Sequence, residues 1–96
     1  MRTPRFHPEA VEEAVAATDW YRERSPASAL AFAAELERAV EAIFQAPENW
    51  SQHLLSTRRF LLRRFPFAVV YRMGPRGIEI IAVAHAKRRP GYWRSR

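Results

Sequence analysis

Between Val11 and Phe44 the apolar side chains recur every three or four positions, and beyond Ser56 they recur every two. The first period belongs to helices and the second to strands. Val11, Ala14, Val15, Thr18 and Tyr21 form one helical face. Pro8 precedes it in the first turn, where a missing N–H costs nothing, and Glu9, Glu12 and Glu13 supply the negative charge that a helix start favours. Arg22 and Arg24 suit its C-terminus. Ser25-Pro26 reads as a second start, a hydroxyl able to cap followed by proline at the first helical position. Ala29, Phe32, Ala33, Leu36, Ala39, Val40, Ile43 and Phe44 make the face of this second helix, with Glu35, Glu37, Arg38 and Glu41 largely opposite, and Pro47 ends it. With so short a link at Ser25 the helices should form an antiparallel hairpin.

Pro47 to Ser56 shows no period and reads as a connection, with Trp50 covering an edge of the core. Three β-branched and aromatic runs follow: Phe60 to Phe65, Phe67 to Met73 and Ile78 to His85. Pro66 divides the first two, and Gly74-Pro75-Arg76-Gly77 is a strong hairpin turn between the others. The last two runs are apolar on both faces, as central strands are, so alternation does not say which face meets the helices. Arg2 to His7 adds a short edge strand, since Pro4 cannot donate to a ladder. The expected architecture is α+β, a helix hairpin packed on one side of a small twisted antiparallel sheet. The other side, fringed by arginines, would stay partly open unless a partner covers it.

Charge sharpens this picture. From Arg58 to Arg96 there are eleven Lys or Arg residues against one acid, Glu79, whereas the preceding residues carry five Arg and nine acids. The net charge of +6 therefore comes from the strand half of the chain. A dense cationic surface favours polyanions, and the arginine fork pairs phosphate in two places. Arg59, Arg63, Arg64, Arg72, Arg88, Arg89 and Trp93 are accordingly the candidate target- or phosphate-binding residues. Tyr92 and Trp93 have rings suited either to stacking on bases or to anchoring the tail.

Ninety-six residues suffice for one domain, 1–96, with a core that needs no staples. The absence of cysteine excludes disulfides, thiolate metal sites and a Cys nucleophile. His7, His53 and His85 lack a carboxylate or second histidine at ligand spacing, so no metal is expected, and no small-molecule cofactor either. No apolar run reaches membrane-spanning length, and Met1 to Glu9 does not read as a secretory signal, which points to a soluble, cytoplasmic protein. A βαββαβ nucleic-acid-binding sheet is disfavoured because both helices precede the three runs, and the acidic second helix is a poor DNA reader. Gly74, Gly77 and Gly91 form no phosphate-cradling loop.

Several stretches are recognisable. Phe6-His7-Pro8-Glu9-Ala10, the helix pair through Ala46-Pro47-Glu48, the run Phe65-Pro66-Phe67-Ala68-Val69-Val70-Tyr71-Arg72 and the ending Ile80 to Trp93, with its Ala-Val-Ala-His-Ala-Lys-Arg-Arg-Pro-Gly-Tyr-Trp, together resemble the RelE/ParE superfamily of bacterial toxins. The resemblance implies a βααβββ fold and the toxin role in a type II toxin–antitoxin system, with growth inhibition and plasmid stabilisation as its consequences. It implies a cognate antitoxin, acidic by complementarity, whose C-terminal segment wraps the toxin. ParE-like members inhibit DNA gyrase, and this is the leading expectation. RelE-like members cut mRNA on the ribosome, which needs a base, an acid and cations for the phosphorane; His85, Lys87, Arg88 and Tyr92 would supply them. Ribonuclease members place a basic residue early in the third strand, where this chain has Ala68, with Arg64 or Arg72 the nearest substitutes. A third reading is a module that keeps the fold and binds a partner without toxicity.

Overall fold

The computed structural model describes residues 5–96, so the part of the expected N-terminal strand before Arg5 lies outside the described residues. In chain order the elements are β1 (Arg5–Phe6), α1 (Pro8–Arg24), α2 (Pro26–Gln45), β2 (Ser51–His53), a 3-10 turn (Leu54–Ser56), β3 (Thr57–Leu61), β4 (Phe67–Gly74) and β5 (Gly77–His85). The sheet order is β1-β5-β4-β3-β2. β1 runs parallel to β5 and every other neighbouring pair is antiparallel. The expected α+β order of two helices followed by the strand meander is what the chain adopts.

Local capping explains the helix bounds. The His7 Nδ1 accepts from the Glu9 N–H at 3.1 Å, and Pro8 occupies the first turn beside it. Ser25 serves both helices: its N–H donates to the Tyr21 carbonyl at 2.8 Å, and its Oγ accepts from the Ser28 N–H at 3.3 Å. One residue thus closes α1 and opens α2, which forces the tight reversal.

The core between helices and sheet contains Ala10, Ala17, Phe32, Ala39 and Ile43 against Val69, Tyr71, Ile80 and Val83. Around Phe32 the rings of Tyr21, Phe65 and Phe67 close at centroid distances of 5.3, 5.3 and 5.2 Å. Fully burying a side chain such as Phe32 or Ile80 contributes roughly 1.5–3 kcal/mol, so this layer dominates the stability. A second apolar layer, Val70, Ile81, Ala82 and Trp93, lies on the opposite side of the sheet.

Several expectations change. Ala14 and Tyr21 of the expected α1 face pack against the core, but Val11 and Val15 are 45% and 53% exposed and the buried positions are Ala10 and Ala17, so the face is turned part of the way toward Ala10. Small alanines let the helix sit close to the sheet, and that closeness selects them over the bulkier valines. Glu35, placed with the solvent-facing acids, is buried. Its carboxylate accepts from the backbone N–H groups of Arg63 and Arg64 and pins the β3–β4 connection to α2. The strand expected at Phe60 to Phe65 begins earlier, at Thr57, and stops at Leu61. The supposed connection before it contains β2 and a turn in which Leu55 and Ser56 take φ of 57° and 60°. Finally, the sheet face expected to be open is partly covered by the chain's own tail, with Trp93 buried to 3% exposure.

Candidate functional site

After β5 the chain turns back over the sheet. The Ala86 N–H donates to the Pro66 carbonyl at 2.8 Å, the Lys87 N–H to the His85 Nδ1 at 3.0 Å, and the Arg88 N–H to the His85 carbonyl at 3.0 Å. Gly91, at a φ of +80°, makes the second bend, a conformation that costs L-residues energy. The tail is then fixed from its far end by Glu13 of α1. That carboxylate accepts from the Val83 N–H at 2.9 Å, the Tyr92 hydroxyl at 2.6 Å and the Arg96 guanidinium twice at 2.9 Å. Arg96 donates in addition to the Ile81 carbonyl at 3.0 Å. β1 stops opposite Ile80, so these two side chains take up edge groups of β5 that no strand reaches.

On the tail side of the sheet a cleft of about 280 Å³ lies between β3, β4 and the tail. Its apolar floor includes Leu61, Ala68, Val70, Ala84 and Trp93, and Arg59, Arg88, Arg89, His53 and His85 also line it. No Asp or Glu is among its lining residues. Arg59 gets there because it pairs with Val70 across β3 and β4, and paired residues share a face. Arg88 stacks 3.8 Å above the Tyr92 ring, which orients its guanidinium.

The sequence candidates therefore divide. Arg59, Arg88 and Arg89 come together at the cleft. Arg63 and Arg64 sit on the exposed β3–β4 connection, with Arg64 3.7 Å from the Glu35 carboxylate. Arg72 lies toward the other end of β4, where it pairs with Glu79 at 2.9 Å and donates to the Arg96 carbonyl oxygen at 3.1 Å. Lys87 lines a separate groove beside α1, and His85 lines both that groove and the cleft. Trp93 packs on Val70, Ile81 and Ala82 and so reaches the cleft only as part of its apolar floor.

Protonation states limit the chemistry. Burial, the bond to Glu13 and the Glu13 charge push the Tyr92 phenol far above its ordinary range, so it stays protonated and its hydroxyl is committed to Glu13. Burial works against the Glu13 charge, but the bonds from Arg96, Tyr92 and Val83, with the Arg96 charge, hold its carboxyl below the usual value. Burial and the nearby Arg59 push the His53 imidazole down, which keeps it neutral near pH 7. The cleft thus sets three guanidinium groups, that of Arg88 held over the Tyr92 ring, beside an apolar floor.

Sequence reasoning passed over Glu13, Arg96, Glu35 and His53 as site-forming residues. A signal existed for Glu13, which stands at helical spacing between Ala10 and Ala17 on the buried side. Arg96 gave none, since its partner is 83 residues away.

Two comparisons bear on this geometry. A family model described as the ParE toxin of type II toxin–antitoxin system, parDE, matches residues 5–90. Among solved structures, a chain of the chromosomal ParDE TA system from P. aeruginosa superposes with a TM-score of 0.77 at 20% identity, covering 91% of this chain and 98% of that one. At that identity the likeness speaks for the fold. No curated protein sequence matches the chain.

Proposed function

The chain belongs to the ParE toxin family of type II toxin–antitoxin systems, which implies a cognate antitoxin, and from that premise we propose that it acts in the cytoplasm by binding and inhibiting DNA gyrase. The observation that carries this reading is the acid-free cleft in which Arg59, Arg88 and Arg89 stand over an apolar floor. Such a surface grips rather than cuts. A macromolecular target supplies apolar side chains for the floor and carboxylates or phosphates for the three guanidinium groups. The antitoxin neutralises by covering this surface or by reshaping it.

Ribonuclease chemistry fits less well. Of the residues that chemistry would use, Tyr92 has its hydroxyl bonded to Glu13, and Ala68 sits in the cleft floor where a basic residue would be needed. The test is a gyrase supercoiling assay with the purified chain beside an Arg59→Ala, Arg88→Ala, Arg89→Ala triple variant. Inhibition by the parent and at least a tenfold weaker effect from the triple variant are expected. Unimpaired supercoiling, together with messages cut within translated codons after brief induction, would replace gyrase by the ribosome as target.

A further inference from the structure

The turn that joins β2 to β3 presents leucines where neither the backbone nor packing favours them. His53 pairs with Thr57, which leaves Leu54, Leu55 and Ser56 as a three-residue hairpin loop. Leu55 has a φ of 57° and a ψ of 44°, and Ser56 a φ of 60°. That left-handed region suits glycine and asparagine, and a bulky L-residue is strained there. The strain is held from one side: the Thr57 N–H and Oγ1 both donate to the Leu54 carbonyl, the hydroxyl at 2.6 Å, and Thr57 is buried. Burial of the leucines does not compensate. Leu54 and Leu55 are 45% and 65% exposed, and neither belongs to either apolar layer of the core.

The turn borders the cationic cleft. His53, at its start, lines the cleft, and Leu54 Cδ1 lies 3.7 Å from where a Cβ on Gly91 would sit, between the cleft-lining Pro90 and Tyr92. We infer that the Leu54–Ser56 turn is a preset apolar anchor and that Leu55 enters an apolar pocket on the protein surface the cleft grips. This rests on gyrase as the target and narrows the contact to the gyrase protein, as distinct from its DNA.

Three features select that occupant. A turn fixed by Thr57 holds Leu55 outward before the target arrives, so little loop ordering remains to be lost on binding. Exposed apolar side chains next to guanidinium groups match a protein interface, whose desolvated centre is apolar and whose rim is charged. A phosphate backbone would engage Arg59, Arg88 and Arg89 and leave Leu55 in water. Strained residues gather where a fold presents groups to a ligand, and Leu55 contributes nothing to the core that would otherwise account for it.

The test measures binding of the full chain to purified DNA gyrase by biolayer interferometry, with and without added DNA, beside Leu55→Asn, Leu55→Ala and Leu55→Met. Thermal unfolding of each chain is recorded in parallel. Asparagine tolerates the left-handed region, so Leu55→Asn should melt at or above the parent temperature while binding roughly tenfold or more weakly in both arms. Leu55→Ala should weaken binding in the same way, and Leu55→Met, which keeps the apolar reach, should recover most of the loss. Equal binding by the parent and Leu55→Asn, or binding by the parent only when DNA is added, would overturn the anchor and leave the gyrase reading standing. No binding in either arm sinks both. A Leu55→Asn chain that melts below the parent would assign the leucine to the fold, and a dimer of the free parent that Leu55→Asn dissociates in sedimentation would assign the turn to a second copy. Either result overturns the inference.

Discussion

Glu13→Gln is the substitution that asks most of this structure. The parent carboxylate receives one backbone and three side-chain hydrogen bonds, and its side chain and that of Arg96 are 16% and 8% exposed. Both are too enclosed for solvent to screen the pair strongly. Breaking a buried pair by removing one partner costs about 3–5 kcal/mol when the remaining charge is trapped. Arg96 keeps the Ile81 carbonyl and the Glu9 carboxylate at 3.5 Å, so a loss of about 2–3 kcal/mol is expected at pH 7. For a domain of this size that lowers Tm by on the order of 10–20 °C. The pH dependence has a definite sign. Because the folded carboxyl titrates below its unfolded value, its contribution is complete above the unfolded value of about 4.3 and disappears as pH falls through the folded one. The parent should therefore lose stability on acidification below about pH 4 more steeply than the Gln variant. Thermal unfolding followed by circular dichroism across pH 3–8 reads both quantities. A Gln variant melting within about 3 °C of the parent at pH 7, or parallel acid limbs for the two proteins, would refute the network as a stabilising element.

Three further perturbations test other joints. Glu35→Ala removes the acceptor of the Arg63 and Arg64 N–H groups and should cost about 1–3 kcal/mol, with faster amide exchange at those two residues as the specific signature. Gly91→Ala meets no clash, since the nearest atom to a built Cβ is Leu54 Cδ1 at 3.7 Å, but at a φ of +80° it should still cost about 1–2 kcal/mol in urea unfolding. The phenols of Tyr21, Tyr71 and Tyr92 are all raised, the first two by burial and the third by burial and Glu13. Absorbance at 295 nm should thus rise at higher pH in the folded chain than in its urea-unfolded form, and identical titration curves would contradict the burial of these rings.

How far the fold was legible depended on whether a residue's role was local. Pro8, the Ser25-Pro26 pair and Pro47 act within a turn of themselves, and the two helices came out at their observed bounds. Gly74 to Gly77 likewise announced the β4–β5 hairpin. The sheet face did not follow, because β5 bulges at Ile81, opposite the Val70–Tyr71 step of β4, and breaks the period of two: Tyr71 pairs with Ile80 and Val70 with Ala82. Beyond it Val83 points to the helices and Ala82 to the tail, whereas strict alternation keeps Ile80 and Ala82 together. β3 was misplaced because Phe60, Leu61, Leu62 and Phe65 form an apolar run, yet Leu62 and Phe65 are drawn into the core from a loop held by Glu35. The strand itself is Thr-Arg-Arg-Phe-Leu, and the Arg58 guanidinium is tied to the Trp50 carbonyl at 2.7 Å. At the site, Arg59, Arg88 and Arg89 were legible as cations and their convergence was not.

The cationic half of the chain therefore does two kinds of work, and composition alone merges them. Arg58, Arg72 and Arg96 each donate to a backbone carbonyl, and the last two also pair with carboxylates, so their charge is consumed in closing the β2 turn, the β4–β5 end and the tail. Arg59, Arg88 and Arg89 line the cleft, and no side chain–side chain ion pair engages them among the described residues. The two groups depend on one another. Arg88 is oriented by the Tyr92 ring, the Tyr92 hydroxyl is held by Glu13, and Glu13 is held by Arg96. A substitution at the end of the tail should reach the cleft through that chain of contacts. Loss of target binding on replacing Arg96 would then reflect a displaced Arg88 and not a missing contact, and an Arg96 variant that retains its melting temperature yet loses binding would count against this order of dependence.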